Sequence, residues 1–167
     1  DLGGLNGFDF APDGRLCGPL WFKKQVVCID VDSTALEIMN DEFSRPAAAN
    51  FNSRGELVAI DNETGGIYRI DMRSHRRELL ATAPSNLDNL AFDAGDRLFV
   101  SNMSDNASYA LEGSSLRTVT SSPLSLPGGI AVAGNELIVA DTFSLSAFDL
   151  GSGKVRDISR SLADNGF

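Results

Sequence analysis

Four stretches of the 167-residue chain superimpose: LNGFDFAPDGRLCG from Leu5, PAAANFNSRGELVAID from Pro46, LDNLAFDAGDRLFVSN from Leu87 and LPGGIAVAGNELIVAD from Leu126. Phe10, Phe51, Phe92 and Val132 mark one recurring position at steps of 41, 41 and 40, and Leu16, Leu57, Leu98 and Leu137 mark a second at steps of 41, 41 and 39. The pairs Ile29-Asp30, Ile70-Asp71, Leu111-Glu112 and Phe148-Asp149 recur later in each unit, so the repetition runs through its whole length. A period of this length restricts the chain to architectures in which one supersecondary unit stacks on copies of itself.

Inside each unit the pattern is that of strands. An apolar run is followed by a tight-turn sequence, PDGR, SRGE, AGDR or AGNE, in which Gly, Asp or Asn can take positive φ and join two antiparallel strands. A third alternating run follows in QVVCID, IYRID, SYALE and SAFDL, and a fourth in ALEIM, RELLA, RTVT and VRDI. Four short strands per unit make the blade of a β-propeller. The expectation is an all-β chain of four consecutive four-stranded antiparallel blades, over 5–45, 46–86, 87–125 and 126–164, with helix confined to a turn at Ser159 to Asp164. Asn165-Gly166-Phe167 repeats Asn6-Gly7-Phe8, so a further blade is expected to begin at 165–167, and the four blades read as part of a larger, six-bladed ring with an open edge. The chain starts at Asp1 and reads as processed or truncated.

Strand alternation orients the loops. Residues leading into the first strand of a blade and residues ending the second share one face, which gathers Asn6, Ala48, Asn89 and Gly129 with Leu20, Asp61, Asn102 and Asp141. Function is expected in those loops. Subtracting 23 acidic from 14 basic residues gives −9, which argues against nucleic acid or an anionic membrane as partner and favours cations. Apolar runs such as Leu57 to Ile60 are too short to span a bilayer as a helix. Cys17 and Cys28 lack metal-ligand spacing and read as buried thiols, which leaves the compartment open. Phe8, Phe10, Phe51, Phe92 and Phe99 sit in strand runs and read as core. His75, in Arg73-Ser74-His75-Arg76-Arg77, reads as part of a solvated hairpin, with no second His for a triad or zinc site.

NGFDFAPDGRL with GPLW, VVCIDVD, LDNLAFDAGDRLFVSN and PGGIAVAGNELIVAD resemble the senescence marker protein/gluconolactonase family of six-bladed propellers, whose cadence NHL-type propellers share. The resemblance implies hydrolysis of a small-molecule lactone or ester with a divalent cation, calcium or zinc, held on the propeller axis by Glu, Asn and Asp from different blades. Carried over position by position, it makes Asn6, Asp88 and Asn89 candidate metal ligands, with calcium preferred for a set of hard oxygens. Ala48 and Gly129 depart from the pattern, and no glutamate precedes Leu5, so the chain holds at most half a site. Asp61, Asn102 and Asp141 recur at one position and read either as loop braces or as pocket residues, Asp141 being the candidate general base. Trp21 and Phe22 either line the substrate pocket or pack between blades. Partners expected besides the lactone are companion blades or a second copy on the open edge. The alternative function is a non-catalytic scaffold that binds a ligand or protein.

Overall fold

The computed structural model describes residues 2–120 and 124–160. Sixteen strands form four sheets, each four-stranded, antiparallel and meandering in chain order. The first sheet holds β1 (Asp9–Phe10), β2 (Leu16–Leu20), β3 (Gln25–Ile29) and β4 (Leu36–Asn40). The second holds β5 (Pro46–Phe51), β6 (Leu57–Asp61), β7 (Gly66–Ile70) and β8 (Arg77–Thr82). The third holds β9 (Leu87–Phe92), β10 (Leu98–Asn102), β11 (Ala107–Glu112) and β12 (Ser115–Thr120). The fourth holds β13 (Ile130–Ala133), β14 (Glu136–Ala140), β15 (Ser144–Asp149) and β16 (Val155–Arg160). The first strands are innermost, where β1 packs on β5, β5 on β9 and β9 on β13.

Turn chemistry explains the hairpins. Gly14, Gly55 and Gly134 take left-handed φ between the first two strands of their sheets, while in the third sheet Asp96 does so in place of Gly95. The third and fourth strands of every sheet carry a register shift at the same place, at Val26/Val27, Ile67/Tyr68, Ser108/Tyr109 and Leu145/Ser146. A bulge repeated there adds the right-handed twist that each blade needs. The expected helical turn lies elsewhere: Ser159 and Arg160 belong to β16, residues 161–167 lie outside the described residues, and the chain's one described helical turn is a short 3-10 helix at Trp21–Lys23.

The core sits between sheets rather than inside any of them. Cys17, Val26, Cys28 and Met39 of the first sheet meet Ala49, Leu57, Ala59 and Ile70 of the second. Val58, Ile60 and Ile67 meet Leu87, Leu90, Leu98 and Val100 of the third. Phe99 and Ala110 meet Leu137, Val139 and Phe148 of the fourth. Leu57, Leu98 and Leu137 are therefore buried because a preceding sheet covers them.

Two sequence expectations fail here for physical reasons. Phe8 and Phe10 are 52% and 56% exposed rather than core, because no described sheet precedes β1, whereas Phe51, Phe92 and Val132, at the position equivalent to Phe10, pack on the inter-sheet clusters. Cys17 and Cys28 are not thiols. They form a disulfide, because the β2/β3 register places them directly opposite with Cα atoms 4.1 Å apart.

Candidate functional site

One end of the blades carries the residues leading into the inner strands. There Asn6 and Asp88, from the first and third blades, line a cavity of about 300 Å³ together with Gly4, Leu5, Trp21 and Phe22. The two come within reach because little stands between them. Ala47 and Ala48 of the intervening blade are fully buried, and a Cβ on Gly7 would fall 2.6 Å from the Ala48 Cβ, so Gly7 is a close-approach glycine rather than a positive-φ turn residue.

Asp88 is half-buried, and its carboxylate accepts no hydrogen bond from the described residues. Burial pushes its carboxyl above the ordinary value. Opposite, the Asn6 amide oxygen accepts the Gly7 N–H at 3.0 Å, and Asn89 repeats this arrangement with the Leu90 N–H at 2.9 Å. Asn89 is tied further into the strand by its own N–H, which donates to the Ser101 hydroxyl at 3.0 Å, and it does not line the cavity. The structure thus brings two of the three candidate ligands together. No group of three or more His, Cys, Asp or Glu that could hold a metal occurs among the described residues.

The recurring polar residues do something else. Asp61 accepts Ser44 N–H at 2.7 Å and Arg45 N–H at 3.3 Å on one oxygen, and Glu63 and Thr64 N–H at 3.0 Å on the other. Asn102 donates to the Pro84 and Ser85 carbonyls at 3.1 and 2.8 Å and accepts Asp105 N–H at 3.0 Å. Asp141 accepts Ser125 N–H at 3.0 Å, Phe143 N–H at 2.8 Å and Ser144 N–H at 2.6 Å. Each ties the turn after the second strand to the segment entering the blade, and none of the three lines the cavity. For Asp141, burial pushes the carboxyl up, but the N–H groups of Phe143, Ser125 and Ser144 outweigh it and hold it below the ordinary range. A carboxylate so engaged braces a loop, which is the first of the two readings given to Asp141.

Trp21 and Phe22 both line the cavity and differ in how they are packed. Trp21 is half-buried, packs on the cluster between the second and third sheets and has the Arg45 guanidinium 5.6 Å from its ring. Phe22 is 79% exposed. What positions them had no reading in the sequence: Gly3 and Gly4 both take left-handed φ, and their carbonyls accept the Phe22 and Trp21 N–H groups at 3.1 and 2.9 Å. The double glycine just ahead of Leu5 was the available signal. His75 sits in its hairpin with positive φ, 3.4 Å from Glu37 and remote from this cavity.

No protein-family profile and no curated protein matches the sequence. Solved structures do. A chain of a nidogen–laminin complex superimposes with TM-score 0.82 at 20% identity, over 95% of this chain and 64% of that one. A gluconolactonase of Xanthomonas campestris gives 0.79 at 17%, over 93% and 61%. Virginiamycin B lyase of Staphylococcus aureus gives 0.78 at 14%, over 96% and 57%. The fold is that of a partial β-propeller. The propeller segment spans 57–64% of the length of these three structures, and at such identities the likeness is one of fold. No described helix is long and apolar enough to cross a membrane.

Proposed function

We propose that the segment contributes part of the site of a divalent-cation-dependent lactone or ester hydrolase, with Asn6, Asp88 and Asn89 offering the oxygens that hold the ion. The observation that supports this reading best is the Asp88 carboxylate, half-buried without a described partner in the cavity that Asn6 also lines. With only amide and carboxylate oxygens and no imidazole or thiolate in that lining, the donor set suits calcium better than zinc. Bound there, a cation would supply carbonyl polarisation and a more acidic water. The chain's own residues place the Asp88 carboxyl and the Asn6 amide in one cavity and orient that amide through the Gly7 N–H, and Trp21 and Phe22 form a wall that keeps water from one side of a bound acyl group. Ala48 and Gly129 offer no side-chain donor, so the two or three oxygens here fall short of the six to eight that calcium takes.

Companion blades, or a second copy, are the proposed source of the rest. At the first sheet Phe8 and Phe10 are exposed, whereas the equivalent pairs Ala49 and Phe51, Leu90 and Phe92, and Ile130 and Val132 pack on a neighbouring sheet, and an apolar face of this kind marks a contact surface.

Proton release during lactone hydrolysis, measured with calcium and with EDTA, tests the reading. Expected are activity lost in EDTA and a fall of about a hundredfold in Asp88→Asn. Rates indifferent to both would remove it. The second reading, a non-catalytic binding scaffold, is favoured by Ala48 and Gly129 and by the saturated hydrogen bonding of Asp61 and Asp141. It predicts ligand binding without turnover.

A further inference from the structure

Phe22 presents a paradox. A phenylalanine ring 79% exposed is ordinarily a free side chain, yet this one is held from two directions. Its backbone N–H is fixed to the Gly3 carbonyl at 3.1 Å, and its ring lies over Gly4 so closely that a Cβ there would stand 2.8 Å from the Phe22 Cδ2. Gly4 has φ of 79°, so both its conformation and its missing side chain serve the ring's placement. The preceding Trp21 is anchored in the same way to the Gly4 carbonyl, with Arg45 against its ring. A large apolar surface has thus been positioned and left uncovered, beside the cavity that holds Asp88.

Among the described residues, the side-chain oxygens lining that cavity are those of Asn6 and Asp88, and both are assigned to the cation in the reading above. What remains among the described residues is Gly4, Leu5, Trp21 and Phe22, whose one further side-chain polar group is the Trp21 indole N–H, a single donor for a polyhydroxylated ligand. A sugar lactone entering here would leave most of its hydroxyls unpaired, whereas a flat apolar group would bury area on the ring of Phe22 without that cost. We propose that the cavity selects ligands through an aryl or similarly flat apolar group seated against Trp21 and Phe22, and that Phe22 is the specificity-determining residue. This rests on the cavity being the ligand site, and it names the class of lactone or ester taken there.

Trp21 is the sole tryptophan, so the protein's indole emission reports on this cavity directly. The protein is titrated with γ-phenyl-γ-butyrolactone and with glucono-δ-lactone in calcium buffer, with hydrolysis of each followed in parallel. The expected result is a saturable change of emission with the phenyl lactone at concentrations where the sugar lactone gives none. Phe22→Ala should weaken the phenyl lactone by about tenfold, Phe22→Leu by less, and Phe143→Ala, which removes another exposed ring outside the cavity, should leave it unchanged. Equal or tighter binding of the sugar lactone, or an affinity indifferent to Phe22, overturns the proposal even if calcium-dependent hydrolysis is found. Saturable, Phe22-dependent binding with no turnover of either lactone upholds it while removing the hydrolase reading. Silence with both lactones overturns it as well.

Discussion

The Ser53 hydroxyl and the Asp96 carboxylate meet at 2.8 Å between the turns of neighbouring blades, and the Ser53 N–H donates to the other Asp96 oxygen at the same distance. Arg54 adds a contact at 3.0 Å to the first of these oxygens. Asp96 is also the residue that takes the left-handed conformation where the other three turns use Gly. One side chain therefore shapes a hairpin and fastens two blades. Asp96→Gly keeps the turn and removes the staple, so it should lower the melting temperature measurably, while Asp96→Ala, which loses both, should lower it further. Thermal unfolding followed by circular dichroism checks the order of the two variants.

The disulfide makes a prediction of its own. Cys17 and Cys28 are both fully buried and close a loop with a sequence separation of 11, for which the chain-entropy estimate is about 3 kcal/mol. Reduction should lower the melting temperature by roughly 6–12 °C. Intact mass after alkylation in denaturant should show two labels only when a reductant has been added. Labelling without reductant would mean free thiols.

The exposed face of the first sheet makes a third. If it is a contact surface, sedimentation of the chain should show mass rising with concentration, and Phe8→Glu with Phe10→Glu should hold it at the monomer while the circular dichroism stays that of a β protein. A wild-type monomer at all concentrations would contradict this.

What the sequence disclosed and what it withheld divide along one physical line. The repeat revealed the four sheets because Leu57, Leu98 and Leu137 each face the same kind of neighbour. It misjudged Phe10 for the same reason: a repeating position carries a repeating environment only when a neighbour is present, and the open edge that the repeat implied was not carried through to the residues lying on it. The recurrence of Asp61, Asn102 and Asp141 correctly raised the loop-brace reading, since chemistry seldom repeats in every blade whereas a turn does. The Cys17 to Cys28 pairing needed strand register, which spacing alone does not supply. The placing of Asn6 and Asp88 on one cavity depended on Gly7 of the first blade packing closely on Ala48 of the blade between, a steric fact that no motif spells.

Acid should expose the loop braces. Backbone N–H donors at Ser74 and Ser152 hold the Asp71 and Asp149 carboxyls below their ordinary value of 3.8, and Asp141 ends below it as well. A carboxyl whose folded pKa is depressed contributes stability above the unfolded value and loses it as pH falls through the folded one, so the chain should destabilise on acidification below about pH 4. Asp88 works in the opposite sense. Its raised folded pKa favours the protonated form, so ionisation at neutral pH costs stability, and Asp88→Asn should leave the melting temperature at pH 7 unchanged or raise it. Urea midpoints across pH 2.5 to 7 would reveal both trends.

That contrast sets up the most direct test of the functional account, which is calorimetric titration of calcium into the protein and into its Asp88→Asn variant at neutral pH. The account predicts weak binding by these four blades, lost in Asp88→Asn and reduced in Asn6→Ala, in variants that are folded and no less stable than the parent. Calcium affinity unchanged by both substitutions would contradict it, as would the absence of cation binding even in a longer polypeptide that completes the ring.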